Sequence, residues 1–253
     1  MQSTATADLI FIPFKTGKPA AFSDANILRR LNITMNIFDI IGPVMIGPSS
    51  SHTAGACRIG KAASLLLSSP PVRADILLHG SFAKTYRGHG TDKALVGGIM
   101  GMDPWDPRIR DSLSLAEEAG IEVRFSTGNL DDAHPNTARI VLTEENGSCT
   151  QLTGSSVGGG NILITQINGM EVSFTGQNPT LIVLHRDLPG VIAQVTALVS
   201  QHQGNICNFR LNRKEKGGDA VMSIELDSSI RPDLVTEIRK MPHIHDVILF
   251  HLN

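Results

Sequence analysis

Residues 180–202 read TLIVLHRDLPGVIAQVTALVSQH. Thr180–His185 is an aliphatic, β-branched run that suits a strand. Asp187-Leu188-Pro189-Gly190 then turns the chain into a helix over Val191–His202, with proline just before the helical run. Working outward, Asn205–Arg213 and Ala220–Leu226 read as strands about a Gly217-Gly218 tip, and Lys214-Glu215-Lys216 sits on that hairpin. Arg231–Lys240 follows as a helix and Val247–Leu252 as a closing strand. The order is βαββαβ, the ferredoxin-like pattern, over residues 179–253.

Upstream the texture is different. Asn146-Gly147 and Asn168-Gly169 are hairpin signals, flanked by Arg139–Thr143 with Cys149–Thr153 and by Ile162–Ile167 with Met170–Phe174. Gly158–Gly160 interrupts them. Before residue 134 helical and strand-like stretches alternate: Ala74–His79 and Ile121–Phe125 as strands, residues 108–119 as helix. Residues 35–175 are thus expected to form an α/β (α+β) domain with an antiparallel second half, and residues 173–179 a linker. Residues 1–34 carry little pattern and are expected to be a poorly ordered extension, with Met35 as the functional start.

Bulk properties narrow the function classes. The chain has 253 residues and a formal net charge of −2, so no basic surface is expected to hold nucleic acid or a membrane. Aromatics are 4% of the residues, too few for base-stacking platforms. No run reaches the length of a membrane span. The three cysteines, Cys57, Cys149 and Cys207, are far apart, which suits a reducing cytoplasm and gives no metal ribbon.

Residues 46–60, IGPSSSHTAGACRIG, place Ser49, Ser50 and Ser51 ahead of His52 and Thr53. Hydroxyls and free backbone N–H groups at the start of a helix suit an anion such as a carboxylate, and His52 adds a proton-transfer group. Thr53 or a preceding serine is expected to cap a helix running to about residue 68, where Pro70-Pro71 stops it. A second glycine-rich stretch, GSFAKTYRGHGTD over residues 80–92, reads as a loop that sets His89 between two glycines; Thr91 or Asp92 caps the helix after it. His134 and Asn136, two apart, would share a face if the segment is extended, as Pro135 encourages. The turn Asp187, Leu188, Pro189 and Gly190, followed by a helix, lets backbone amides face a small carboxylate, and Asn205 could reach across an interface. The remaining histidines are read as structural.

The first two motifs and His134-x-Asn136, in that order, resemble the β chain of the bacterial iron–sulfur L-serine dehydratases over about residue 36 to the C-terminus, and the last unit resembles an ACT domain. Cys57 and Tyr86-Arg87 depart from the family pattern but flank the polar groups. The resemblance implies deamination of L-serine to pyruvate and ammonia, with a [4Fe–4S] cluster held by a separate α chain and no metal ligand in this one. It implies His89 as the base, with His52 beside it. Ser49, Ser50, Ser51, Thr53, His134 and Asn136 would line the substrate site. An ACT unit implies regulation by L-serine at Asp187–Gly190 and Asn205, and a homodimeric contact. The competing reading is an amino-acid-sensing protein without catalysis; a phosphate-handling enzyme lacks its fingerprint.

Overall fold

The computed structural model describes residues 44–252. The N-terminal extension, the proposed start at Met35 and the apolar run at residues 37–42 lie outside them.

Six strands form the first sheet: β1 (Pro71–Leu78), β2 (Glu122–Thr127), β3 (Thr137–Glu144), β4 (Cys149–Gly158), β5 (Asn161–Ile167) and β6 (Met170–Phe174), in the order β2-β1-β3-β4-β5-β6. Only β1 and β2 are parallel, from Arg73 opposite Glu122 to Leu78 opposite Thr127. A parallel pair needs a crossover, and here it carries α2 (Gly80–His89), α3 (Thr91–Ile99), a short 3₁₀ turn (Pro107–Asp111) and α4 (Ser112–Glu118). The other strands run as antiparallel neighbours. Asn168 (φ 50) and Gly169 (φ 74) both take the left-handed conformation that a two-residue hairpin requires.

Helix α1 (Ala56–Ser64) packs on this sheet, and α3 packs on α1. Small residues at their crossing let the backbones touch: a Cβ on Gly60 would lie 2.1 Å from the Leu95 carbonyl, and one on Gly98 would lie 2.0 Å from the Cys57 carbonyl. Ile59, Ile76, Leu95, Ile140 and Ile164 fill the space between. Strand β3 alternates buried and half-buried positions, so one face of the sheet takes the helices. Helix α1 stops at Ser64, short of the expected residue 68. The Glu144 carboxylate takes the amides of Ser68 and Ser69 at 3.0 and 2.6 Å, which fixes those residues in a non-helical reversal.

The C-terminal sheet has the order β10-β7-β9-β8, every pair antiparallel, from β7 (Thr180–Arg186), β8 (Ile206–Arg213), β9 (Asp219–Leu226) and β10 (Ile244–Phe250). With α5 (Val191–Gln201) and α6 (Pro232–Arg239) this is the expected βαββαβ arrangement. Val191, Val195 and Val199 recur every fourth residue on α5 and close on Leu181, Met222 and Val247. The opposite side of the sheet sends Ile182, Val221 and Phe250 into the first core. The expected linker is therefore short: Ser173 and Phe174 complete β6, and the Phe174 ring meets Phe250 at 5.0 Å between centroids.

Candidate active site

The serine run is wound as a π-helical turn, Ser50–Gly55, leading into α1. Such wide turns recur at functional sites. Its N-cap is Ser49, one of the preceding serines, and not Thr53: Ser49 Oγ accepts the His52 amide at 3.3 Å, and its carbonyl takes the Thr53 amide at 2.8 Å. Thr53 lies inside the turn, buried, with Oγ1 unpartnered. Ser50 and Ser51 are half-buried.

The second glycine-rich stretch is a helix, which corrects the loop reading. Its interior, FAKTYR, is free of helix breakers, and the glycines serve its ends. Gly90, at φ 70, closes α2 as a left-handed C-cap and at once starts α3, so neither Thr91 nor Asp92 is the cap. Gly80, at φ 59, lies so close to Pro135 that a Cβ would sit 2.5 Å from its carbonyl oxygen. That carbonyl accepts the amides of Ser81 (2.7 Å) and Phe82 (3.4 Å), orphan donors of the first turn of α2. The contact docks the His134-Pro135-Asn136 segment onto α2.

Reading α2 as a helix makes Ser81, Thr85 and His89 one stripe at four-residue spacing. That stripe faces His52. His52 Nε2 lies 3.1 Å from Thr85 Oγ1 and 3.4 Å from Ser81 Oγ, while Nδ1 lies 3.3 Å from Ser49 Oγ. The imidazole meets the Phe82 ring edge-on at 5.2 Å and the His89 ring at 4.7 Å. Burial first, and the neighbouring His89 second, lower the His52 pKa, so the ring is neutral near pH 7. His89 itself is exposed. It borders a cleft of about 310 Å³, whose wall includes Gly47, Pro48, Arg87, Lys93 and Arg110. Among the described residues these three cations have no carboxylate in an ion pair, so the cleft suits an anion.

His134 and Asn136 are not an extended pair on one face. His134 is exposed, and its Nδ1 accepts the Asn136 amide at 3.2 Å, closing a local turn in place of an extended segment. Asn136 Oδ1 is buried without a partner. Next to it Ser156, whose amide donates to the Asn136 carbonyl, is fully buried with Oγ also unpartnered, and it abuts Gly55 of the serine turn. Three unpaired oxygens, of Thr53, Asn136 and Ser156, thus gather about this turn, where buried polar atoms are normally satisfied. Sequence reading passes over Ser81, Thr85 and Ser156; the four-residue spacing would have flagged the first two once α2 was taken as a helix.

The C-terminal candidates do not converge within one chain. The Asp187 carboxylate accepts from Arg213 (2.7 Å) and from the Gly217 amide (3.0 Å), and the Gly217 bond, then Arg213, hold its pKa below the usual carboxylate range. Leu188, Pro189 and Gly190 are exposed beside it, and Gly190, at φ 92, is the left-handed N-cap of α5. Asn205 lies at the opposite end of the sheet, bonded to Asp227. A seven-residue strand separates the two places, roughly 20 Å.

The cysteines do not fit the ligand set of a cubane cluster. Cys57 is buried in α1, donates to the Met102 carbonyl at 3.3 Å, and has a thiol pushed up to about 12 by burial and then by Asp103. Cys149 and Cys207 are exposed on strands of different sheets. Among the described residues no three His, Cys, Asp or Glu side chains gather as a metal site, and no helix is long and apolar enough to cross a membrane.

Residues 36–166 match the family model described as serine dehydratase beta chain, and residues 181–248 match the AHAS small subunit-like ACT domain. The chain is 44% identical over 212 residues to the probable L-serine dehydratase, beta chain, of Bacillus subtilis, covering 84% of this chain and 96% of that relative. It is 41% identical over 202 residues to the L-serine dehydratase, beta chain, of Peptoniphilus asaccharolyticus, covering 79% and 91%. It is also 26% identical over 203 residues to a D-3-phosphoglycerate dehydrogenase of Bacillus subtilis, covering 78% of this chain and 37% of that one.

Proposed function

Because the chain belongs to the serine dehydratase beta-chain family, we propose that it is the β subunit of an L-serine ammonia-lyase that converts L-serine to pyruvate and ammonia. The observation that carries this is a neutral, buried His52 with its ring against an exposed His89, beside a cationic cleft. Dehydration of serine needs a restrained carboxylate and a base for a weakly acidic α-proton. In this reading His89 takes the proton. Ser49, Ser50, Ser51 and Thr53 line the substrate site with Asn136, His134 stands at its edge, and Lys93 and Arg110 draw in the carboxylate.

The [4Fe–4S] cluster is assigned to a separate α chain, since the cysteines present here do not fit its ligand set. The unpaired oxygens around the serine turn are acceptors open to substrate, a partner or ordered water. The ACT-type half is the regulatory part in this proposal. L-serine would bind between two copies of the chain, with Asp187–Gly190 from one and Asn205 from the other, which is the arrangement open to residues at opposite ends of one sheet. Cytoplasmic residence goes with an oxygen-sensitive cluster.

Co-expression with a cysteine-bearing α chain tests the proposal. A co-purifying, brown, oxygen-sensitive complex that forms pyruvate from L-serine is expected, and a complex that forms but leaves serine untouched would refute it. One observation favours a second reading: the match to the phosphoglycerate dehydrogenase runs through both halves of this chain yet covers little of that enzyme. A serine-binding sensor without catalysis would bind serine and recruit no cluster-bearing partner.

A further inference from the structure

The hydrogen bonds around His52 can be balanced proton by proton. Thr85 Oγ1 owns one proton, and the bond to the Ser81 carbonyl one helical turn back, at 2.9 Å, uses it. Toward His52 Nε2, 3.1 Å away, Thr85 can then only accept. The Nε2 atom therefore carries the ring proton, and Nδ1 carries the lone pair. On that side stands Ser49 Oγ, which already accepts the His52 amide and so has its own proton free to give to Nδ1 at 3.3 Å. The opposite tautomer would set two lone pairs against each other at 3.1 Å and leave Nε2 only the longer Ser81 contact at 3.4 Å.

We propose that Thr85 is a positioning residue that holds His52 as the Nε2–H tautomer, and that Ser49, its proton committed to His52 Nδ1, meets substrate only as an acceptor. The consequence, which rests on the serine-lyase reading above, is a division of labour in the serine turn. Ser49 suits the substrate's ammonium group, a donor, and cannot serve the carboxylate. Ser50 and Ser51, whose hydroxyls are not held by any described residue, can donate to the carboxylate together with Lys93 or Arg110.

The tautomer is readable in the full chain without turnover. Long-range ¹H–¹⁵N correlation of ring nitrogens, with His52 assigned by its loss in His52→Gln, should show an unprotonated Nδ1 and a protonated Nε2. Thr85→Val should lose that pattern and Thr85→Ser should keep it. A wild-type His52 protonated at Nδ1 overturns the proposal whether or not any variant folds, and so does a folded Thr85→Val whose ring pattern is unchanged. For Ser49, binding to the α-chain complex is compared for L-serine and for 3-hydroxypropanoate, which lacks the amino group. Ser49→Ala should weaken L-serine about tenfold, the loss of one charge-assisted hydrogen bond, and leave 3-hydroxypropanoate within about twofold. Equal losses for both ligands would overturn the ammonium assignment. Failure of the complex to deaminate serine would defeat the lyase reading and leave the ring pattern standing.

Discussion

The turn before α1 and the turn before α5 do the same local job, since each brings the chain out of an extended segment and into a helix. Their hydrogen bonding ends differently. Asp187 of the second turn is answered by its own sheet, through Arg213 and the Gly217 amide. The serine turn is answered only in part: Ser49 and His52 bind one another, while Thr53 Oγ1 and the adjoining Ser156 Oγ stay buried and unpaired. A turn that satisfies itself is finished structure. One that buries unsatisfied oxygens is stable in full only when something else completes it. The contrast leaves unpaired oxygens only at the first turn of the two, while the second keeps Leu188–Gly190 exposed.

The largest test of that contrast is kinetic. His89→Ala, in complex with the α chain, should lower kcat at least a hundredfold with KM little changed, as loss of a positioned base does. A kcat within tenfold of wild type would move the base elsewhere. Changes at Asp187 should leave kcat at saturating serine nearly untouched.

Two glycines sharpen the comparison through stability. Both are left-handed, but a Cβ at Gly80 would collide with Pro135, whereas at Gly190 the nearest atom is Gln194 Nε2 at 3.7 Å. Gly80→Ala should therefore destabilise by about 3 kcal/mol, from backbone strain plus the clash. Gly190→Ala should cost about 1 kcal/mol, from conformation alone. Denaturant unfolding of the two variants measures both; similar losses would mean that the docking of Pro135 on α2 is loose.

The next effect depends on pH. His52 has a lowered pKa in the folded chain. Below about pH 6.5, the ordinary histidine value, the unfolded chain takes up a proton that the folded chain resists. The stabilisation is whole above that value and is lost as pH falls through the window down to the folded pKa. Melting curves between pH 7.5 and about 5 should slope less for His52→Gln than for wild type. Parallel slopes would show that His52 titrates freely. Asp187 follows the same sign at lower pH, also because its folded pKa is depressed. Its contribution is present above the usual carboxylate range and fades as pH drops through the folded value. Asp187 is screened by solvent, so Asp187→Asn should flatten the acid limb only slightly.

Much of the fold was legible because its signals are local. Valines every fourth residue and Asn-Gly between alternating runs state a burial period and a turn conformation directly. The C-terminal strands and helices were accordingly read to within a few residues. Helix α2 was misread for an equally physical reason. Three glycines in thirteen residues, Gly80, Gly88 and Gly90, suggest a loop when their positions are ignored. Gly80 is needed for contact with Pro135, a residue far along the chain, and no local pattern announces such an approach. The end of α1 was misplaced in the same way, because Glu144 of a distant strand captures Ser68 and Ser69.

The sequence by itself determined the ferredoxin-like half, the two hairpins and the supply of hydroxyls and imidazoles from which a serine site could be made. Tertiary structure alone decided which of them meet. It turned Ser81, Thr85 and His89 onto His52, bent the His134 ring onto the Asn136 amide, and set Asn205 at the far end of the sheet from Asp187. Periodicity reports only which side of an element is buried. Which buried side faces which partner is fixed when helices and strands pack, and the proton on His52 is fixed by that packing.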